Sequence, residues 1–313
     1  MQKEPLVILT GPTAVGKTQL SIELAKHING EIISADSMQV YRRMNIGTAK
    51  ISKFEMEGIP HHLIDILEPW EDFNVVAFQT YAKQAIQKIR NRGKIPIVVG
   101  GTGFYIQALL YGIDFTENET NTELRKRLES ESEKDFGISL HRYLMQIDPV
   151  AAEAIHPNNR KRVIRAVEFY ELTGQRISEH NAEQRQNTSV YNSAYFVLTM
   201  NREELYRRID LRVDQMLHAG LVTEVQSLLE EGCMANMISM QGLGYKEIIR
   251  YLNKEIALEE AVYILKRDTR HFAKRQLTWF RRERDVIWLD KDQSEHNLLD
   301  LCLLKLKEKE IIQ

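Results

Sequence analysis

Pro5-Leu6-Val7-Ile8-Leu9-Thr10-Gly11-Pro12-Thr13-Ala14-Val15-Gly16-Lys17-Thr18 decides how the rest of the chain is read. The apolar run from Leu6 to Leu9 predicts a buried strand. The loop behind it has the form G-x-x-x-x-G-K-T, and Gln19-Leu20-Ser21-Ile22-Glu23-Leu24-Ala25-Lys26 continues as a helix. Glycines let such a backbone curl until its N–H groups point inward at one anion. The helix N-terminus adds roughly half a positive charge and Lys17 a full one, while the Thr18 hydroxyl is placed to ligate Mg²⁺. A glycine-rich turn between core elements is the plainer alternative, but it gives no reason for Lys-Thr at those positions. Gly11, Thr13, Ala14, Val15, Gly16, Lys17 and Thr18 are therefore read as a phosphate cradle.

Working outward, 313 residues suit one large or two modest domains. The net charge of −2 gives no global positive field, so any nucleic-acid site must be a local patch. Cys233 and Cys302 lie far apart with no C-x-x-C, which argues against a disulfide framework or a zinc finger. The first strand begins near Leu6, which suggests no leader peptide, and no apolar run approaches ~18 residues. The expectation is a cytoplasmic, monomeric protein without a membrane partner.

Helix Gln19 to His27 stops at Asn29-Gly30, and Glu31-Ile32-Ile33-Ser34-Ala35-Asp36 reads as a second buried strand ending in a carboxylate. From Asn74, Val75, Phe78, Ala82, Ala85 and Ile89 recur at helical spacing as far as Gly93. Ile95-Pro96-Ile97-Val98-Val99 is a third strand running into Gly100-Gly101-Thr102-Gly103. This alternation predicts an α/β fold with a parallel sheet flanked by helices. The character changes at Thr116. Residues 117–188 are polar, with short helical stretches (Glu123 to Glu133, Leu140 to Gln146, Arg160 to Leu172), and predict a helical insertion domain. The core, 1–116 and 189–313, resumes with a strand at Ala194 to Met200. Helices Arg202 to His218, Leu221 to Glu230 and Glu259 to Arg282 follow, and Val286 to Leu289 reads as a closing edge strand.

Four constellations carry chemistry. Asp36, at the C-terminal end of its strand, suits a base facing an acceptor or a carboxylate ordering Mg²⁺ through water; a loop-stabilising role is the alternative. Asp65 in His61-His62-Leu63-Ile64-Asp65 competes for that role, while the histidine pair reads as structural. Thr102 and its neighbouring amides face the same sheet edge unless they form only a tight turn. Arg208 and Arg212 share a helix face and suit a departing diphosphate; a solvated face is the alternative. Finally, Lys266 to Arg284 holds eight basic residues against two acids, interleaved with aromatics, and a second run, Arg160-Lys161-Arg162 with Arg165, lies in the insertion. Together they suit an RNA or DNA backbone with stacked bases.

The ordered set of motifs resembles the tRNA dimethylallyltransferase (tRNA isopentenyltransferase) family. It comprises Gly-Pro-Thr-Ala-Val-Gly-Lys-Thr (11–18), Asp-Ser-Met-Gln-Val-Tyr (36–41), Ile-Gly-Thr-Ala-Lys (46–50) and Gly-Gly-Thr-Gly-Phe-Tyr (100–105). His-Pro-Asn-Asn…Arg (156–162), Gln-Gly-Leu-Gly-Tyr-Lys-Glu (241–247) and Ala-Lys-Arg-Gln-Leu-Thr-Trp-Phe-Arg (273–281) complete it. Asn159 stands where that family usually has Asp, and Ile51 where Pro often follows. No zinc finger follows at the C-terminal side, so the likeness is to the bacterial form.

The resemblance implies a P-loop NTPase-like core with a helical C-terminal region. It also implies transfer of a dimethylallyl group from dimethylallyl diphosphate to N6 of the adenosine beside the anticodon (position 37) of a tRNA. In that reading Asp36, Thr102 and Arg212 are catalytic, Arg208 joins the cradle around the diphosphate, and Thr18 holds Mg²⁺. Asp36, Ser37, Met38 and Gln39 meet the extruded base, while Asn159, Arg160, Lys161, Arg162, Val163, Lys274, Arg275 and Arg281 contact the anticodon stem-loop. A nucleotide kinase, a prenyltransferase acting on free adenine nucleotide, and a non-catalytic RNA-binding protein are the rivals. The kinase leaves both basic regions unexplained, the second has less use for an RNA clamp, and the third leaves Asp36 and Thr102 unused.

Overall fold

A computed structural model describes residues 3–113, 115, 122–135, 137–184, 186–292 and 297–313. The chain opens with β1 (Glu4–Thr10), α1 (Lys17–His27), β2 (Gly30–Ala35), the short β3 (His61–His62), α2 (Val75–Asn91), β4 (Ile95–Gly100) and α3 (Gly103–Leu110). Five helices follow: α4 (Thr122–Lys134), α5 (Ile138–Ile147), α6 (Pro149–Ala154), α7 (Arg160–Thr173) and α8 (Ile177–Gln184). The chain then forms β5 (Tyr191–Thr199), α9 (Arg202–His218), α10 (Leu221–Glu230), α11 (Tyr245–Leu252), α12 (Leu258–Phe280), β6 (Val286–Asp290) and α13 (Leu298–Glu308).

The six strands form one parallel sheet in the order β3-β2-β4-β1-β5-β6. Its central strands are apolar on both faces because helices cover both sides, so they read as continuous hydrophobic runs. Leu6, Val7, Ile8 and Leu9 are buried accordingly. Leu20 and Leu24 of α1, Leu205 and Ile209 of α9, Ala273 of α12 and Leu306 of α13 join one core cluster with Val7 and Leu9. Burial of each such leucine or isoleucine contributes about 1.5–3 kcal/mol. Register then positions the site. Thr10 and Ala35 both stand opposite Gly100, so Gly11, Asp36 and Gly101 leave the sheet side by side at its C-terminal edge. β1 sits where the chain passes from β4 on one side to β5 on the other, the crevice in which open α/β sheets bind ligands.

Two compact units separate: residues 1–110 with 189–313, and residues 111–188. The smaller unit begins at Tyr111, after α3 ends, rather than at 117; Thr116, where the composition changes, lies outside the described residues. It closes on its own core of Leu128, Leu140, Leu144, Ala151, Ala152, Val163, Ile164, Ala166 and Val167. α6 and α8, which are short, are additional to the helices expected from sequence. Asp148 caps α6 through Ala151 N at 3.0 Å and accepts from Ser178 Oγ at 2.6 Å, tying α8 to it. The expected edge strand is β6, paired with β5. β3, α3, α11 and α13 were likewise not expected, the last because its dense leucines hide the helical period. Both cysteines are free and buried, and burial pushes the Cys302 thiol up to about 12. No helix among the described residues is long and apolar enough to cross a membrane.

Candidate active site at the phosphate loop

The loop after β1 turns as its glycines predict. Gly11 has φ +146°, and a Cβ there would lie 2.5 Å from the carbonyl oxygen of Leu198 on the adjacent strand β5. Only glycine fits that approach. Gly16 precedes α1, whose first residue is Lys17. The Lys17 ammonium donates to the carbonyls of Gly11 at 3.0 Å and Pro12 at 2.8 Å, so it lies back over the loop. Burial, with the Arg212 guanidinium nearby, pulls its pKa from 10.5 down to about 7, and Asp36 opposes the shift. Thr18 is exposed.

Arg212 and Arg208 both reach this loop from α9. Arg212 donates to Thr13 Oγ1 at 3.3 Å, and Arg208 comes within 3.6 Å of where a Gly16 Cβ would stand. Burial lowers the Arg212 pKa, with Asp36 partly restoring it and Arg208 opposing. Both side chains thus lie against the loop rather than on a solvated helix face. Lys291, just past β6, was missed: its Nζ lies 3.4 Å from the Val15 carbonyl oxygen and is pressed by Arg208. A lone lysine after an edge strand gives no signal in sequence.

Asp36 faces the same space, since its charge is felt by Lys17, Arg212 and Tyr105. Its Oδ1 accepts from Met38 N at 2.8 Å and Gln39 N at 3.3 Å, so the loop-stabilising role is real for one oxygen. The other oxygen has no hydrogen bond among the described residues. Asp65 is bound to the buried Lys50 at 2.6 Å, which removes it from competition. Thr102 N donates to Ala35 O at 3.2 Å, and Thr102 O accepts from Tyr105 N at 3.0 Å, holding Thr102 at the start of α3 beside Asp36.

The neighbouring motifs hold this edge in place. Glu224 accepts from the amides of Asn45 (2.8 Å), Ile46 (2.7 Å) and Gly47 (3.0 Å) and from the Tyr245 hydroxyl (2.7 Å). A Cβ on Gly47 would stand 2.6 Å from the Tyr245 ring, which explains the glycine. Glu224→Ala is expected to destabilise the fold by about 1–3 kcal/mol, because these donors lose their acceptor; the denaturant midpoint measures it. The histidine pair is structural. His62 Nε2 lies 2.7 Å from Glu31, which Arg92 and Lys94 also contact. Burial raises the Glu31 pKa, but those partners outweigh it and hold the carboxyl at about 2.

Several expected RNA contacts need correction. Val163 is buried in the core of the smaller unit, so its side chain has no outward face, whereas Asn159, Arg160, Lys161 and Arg162 are exposed. Gln39 donates to Thr48 O at 3.3 Å and accepts from Ser34 Oγ at 3.3 Å, so its amide is tied into the loop. Ser37 and Met38 are half-buried. On α12, Lys266 pairs with Asp214, Arg270 with Asp210 and Arg267 with Asp268, so the basic run is smaller than its count. Lys274, Arg275 and Arg281 remain exposed, with the Arg275 guanidinium 5.7 Å from the Phe272 ring centre.

The IPP transferase family model matches residues 39–283. The chain is 64% identical to the tRNA dimethylallyltransferase of Lachnoclostridium phytofermentans over 99% of its own length and 100% of that protein. It is 53% identical to the enzyme of that name from Alkaliphilus oremlandii, over 97% of both chains. Among solved structures it resembles the tRNA isopentenylpyrophosphate transferase of Bacillus halodurans (TM-score 0.74, 46% identity, 98% of each chain). It also resembles a eukaryotic dimethylallyltransferase acting on tRNA (TM-score 0.83, 33% identity, 98% of this chain and 79% of that one). With the matched region spanning most of the chain, and with such identities over its length, the protein belongs to the IPP transferase family.

Proposed function

We propose that this protein transfers the dimethylallyl group of dimethylallyl diphosphate to N6 of the adenosine beside the anticodon of a tRNA, acting as a cytoplasmic monomer. The observation that carries the reading is the convergence at one sheet edge. Lys17, Arg208 and Arg212 stand around the phosphate loop, with Asp36 and Thr102 alongside. Loop amides, Lys17 and the two arginines bind the diphosphate and compensate its charge as the allylic C–O bond breaks; one such donor is worth about 3 kcal/mol. Asp36 accepts the proton of N6 as the C–N bond forms, and Thr102 lies beside the reacting groups. Mg²⁺ takes few protein ligands and several phosphate oxygens, and the exposed Thr18 hydroxyl at the start of α1 is a donor of the kind it takes. Thr18 would hold it, and it would supply charge compensation at the diphosphate.

Adenine N6 is unreachable in a stacked loop, so the base is extruded at a cost of a few kcal/mol. Ser37 and Met38 meet it beside Asp36, and exposed Asn159, Arg160, Lys161, Arg162, Lys274, Arg275 and Arg281 take the RNA backbone. Charge reversal at Arg275 and Arg281 is expected to weaken tRNA binding and to reduce the slope of log K against log salt by about 1 for each phosphate left without its cation. An unaltered slope moves the footprint elsewhere. The decisive assay incubates the protein with dimethylallyl diphosphate and unmodified tRNA, then reads the nucleosides by mass spectrometry. ATP in place of the allylic donor should give nothing. Turnover of AMP in preference to tRNA would favour the free-nucleotide reading.

A further inference from the structure

Gln276 is a polar residue on the apolar stripe of α12, between Ala273 and Phe280, and is 6% exposed. A side-chain amide buried in that way needs partners for both ends. Its Oε1 accepts from the backbone N–H of Thr13 at 2.9 Å, and its Nε2 donates to the carbonyl of Gly101 at 3.0 Å. A Cβ on Gly101 would lie 2.2 Å from that Nε2, so the glycine is what admits the amide. Gln276 thus spans from the phosphate loop to the loop bearing Thr102. Thr13 is gripped twice, at its amide from α12 and at its hydroxyl by Arg212 of α9. The two helices are themselves pinned together by Lys266–Asp214 and Arg270–Asp210.

We propose that Gln276 is a positioning residue that couples RNA held on the outer face of α12 to the diphosphate loop. Lys274 and Arg275 lie within two residues of it and face outward, while its own side chain faces inward onto Thr13 and Gly101. Holding α12 in place by its cations holds Thr13 and the loop amides in the geometry that grips an anion. By linkage, each ligand then tightens the other by the same factor. The inference rests on the reading of the loop and α12 given under Proposed function.

The test titrates inorganic diphosphate with Mg²⁺ into the full chain, with and without an anticodon stem-loop RNA. The RNA is expected to tighten diphosphate binding about 10-fold in the wild type, within the usual range of such couplings, and to slow hydrogen exchange at the Thr13 amide. Gln276→Met, similar in shape but without the amide, should bind each ligand alone and lose that factor, with the Thr13 amide exchanging faster. Wild-type protein that binds both ligands independently overturns the proposal, as does a folded Gln276→Met protein that keeps the full factor. If the variant does not fold, the wild-type coupling and Thr13 exchange decide alone. Failure of the wild type to bind diphosphate at all counts instead against the functional reading of the loop.

Discussion

Asp36→Asn is expected to lower the rate of prenyl transfer by about 10²–10⁴-fold, the usual worth of a positioned general base, while tRNA affinity stays near the wild-type value. The substitution is chosen for what it preserves. An asparagine carbonyl still accepts from Met38 N and Gln39 N, so the turn holding Ser37 and Met38 keeps its shape. What is lost is the negative charge and its affinity for a proton. The adenine N6 lone pair is delocalised into the ring, so it attacks only as its proton departs, and an amide cannot take that proton. A second consequence separates the base from a bystander. Asp36 raises the pKa of both Lys17 and Arg212. In the variant, diphosphate binding should weaken near pH 8 and remain close to normal near pH 6. Single-turnover transfer from labelled donor, with binding measured at both pH values, checks the two effects. A wild-type rate with saturated ligands removes Asp36 as the base.

The architecture was readable because its signals are local. The G-x-x-x-x-G-K-T loop, apolar runs at Leu6 and Ile95, and Asn74 as a cap each speak through neighbouring residues. Asn74 does accept from Ala77 N at 3.0 Å. Helices Arg202–His218 and Leu221–Glu230 were placed to the residue for the same reason. What was hidden depends on partners far along the chain. Glu224 meets Gly47 from 177 positions away, and Gln276 meets Thr13 from 263. Gln276 did carry a faint mark, a polar side chain on an apolar stripe; Lys291 carried none. The basic run misled in the opposite sense. A count of charges cannot tell that Lys266 and Arg270 point to aspartates on α9 while Lys274 and Arg275 point outward.

Lys17→Met is expected to weaken binding of dimethylallyl diphosphate and to slow transfer by about 10²–10³-fold at pH 6, the typical cost of one removed donor to developing charge. The pH dependence gives the sharper result. In the free protein, burial and Arg212 bring the Lys17 pKa down to about 7, so the ammonium is largely protonated at pH 6 and largely neutral at pH 8. A diphosphate placed between Lys17 and Arg212 stabilises the charged form and moves that pKa back toward its ordinary 10.5. Binding in this window therefore takes up a proton, and affinity falls above pH 7 by as much as about tenfold per unit. Folding of the free protein runs the opposite way. The unfolded chain holds the Lys17 proton up to 10.5 and the folded one only to about 7. This group therefore adds stability as pH rises across that interval, and diphosphate cancels the gain. Calorimetric titration in buffers of different ionisation enthalpy reads the proton count directly. The donor titrates too, so the quantity that matters is the difference between wild type and Lys17→Met: close to one proton near pH 8 and close to none near pH 6. A difference of zero at pH 8 would mean that Lys17 keeps its charge in the free protein, or that it does not meet the diphosphate; the affinity loss in Lys17→Met at pH 6 tells these apart.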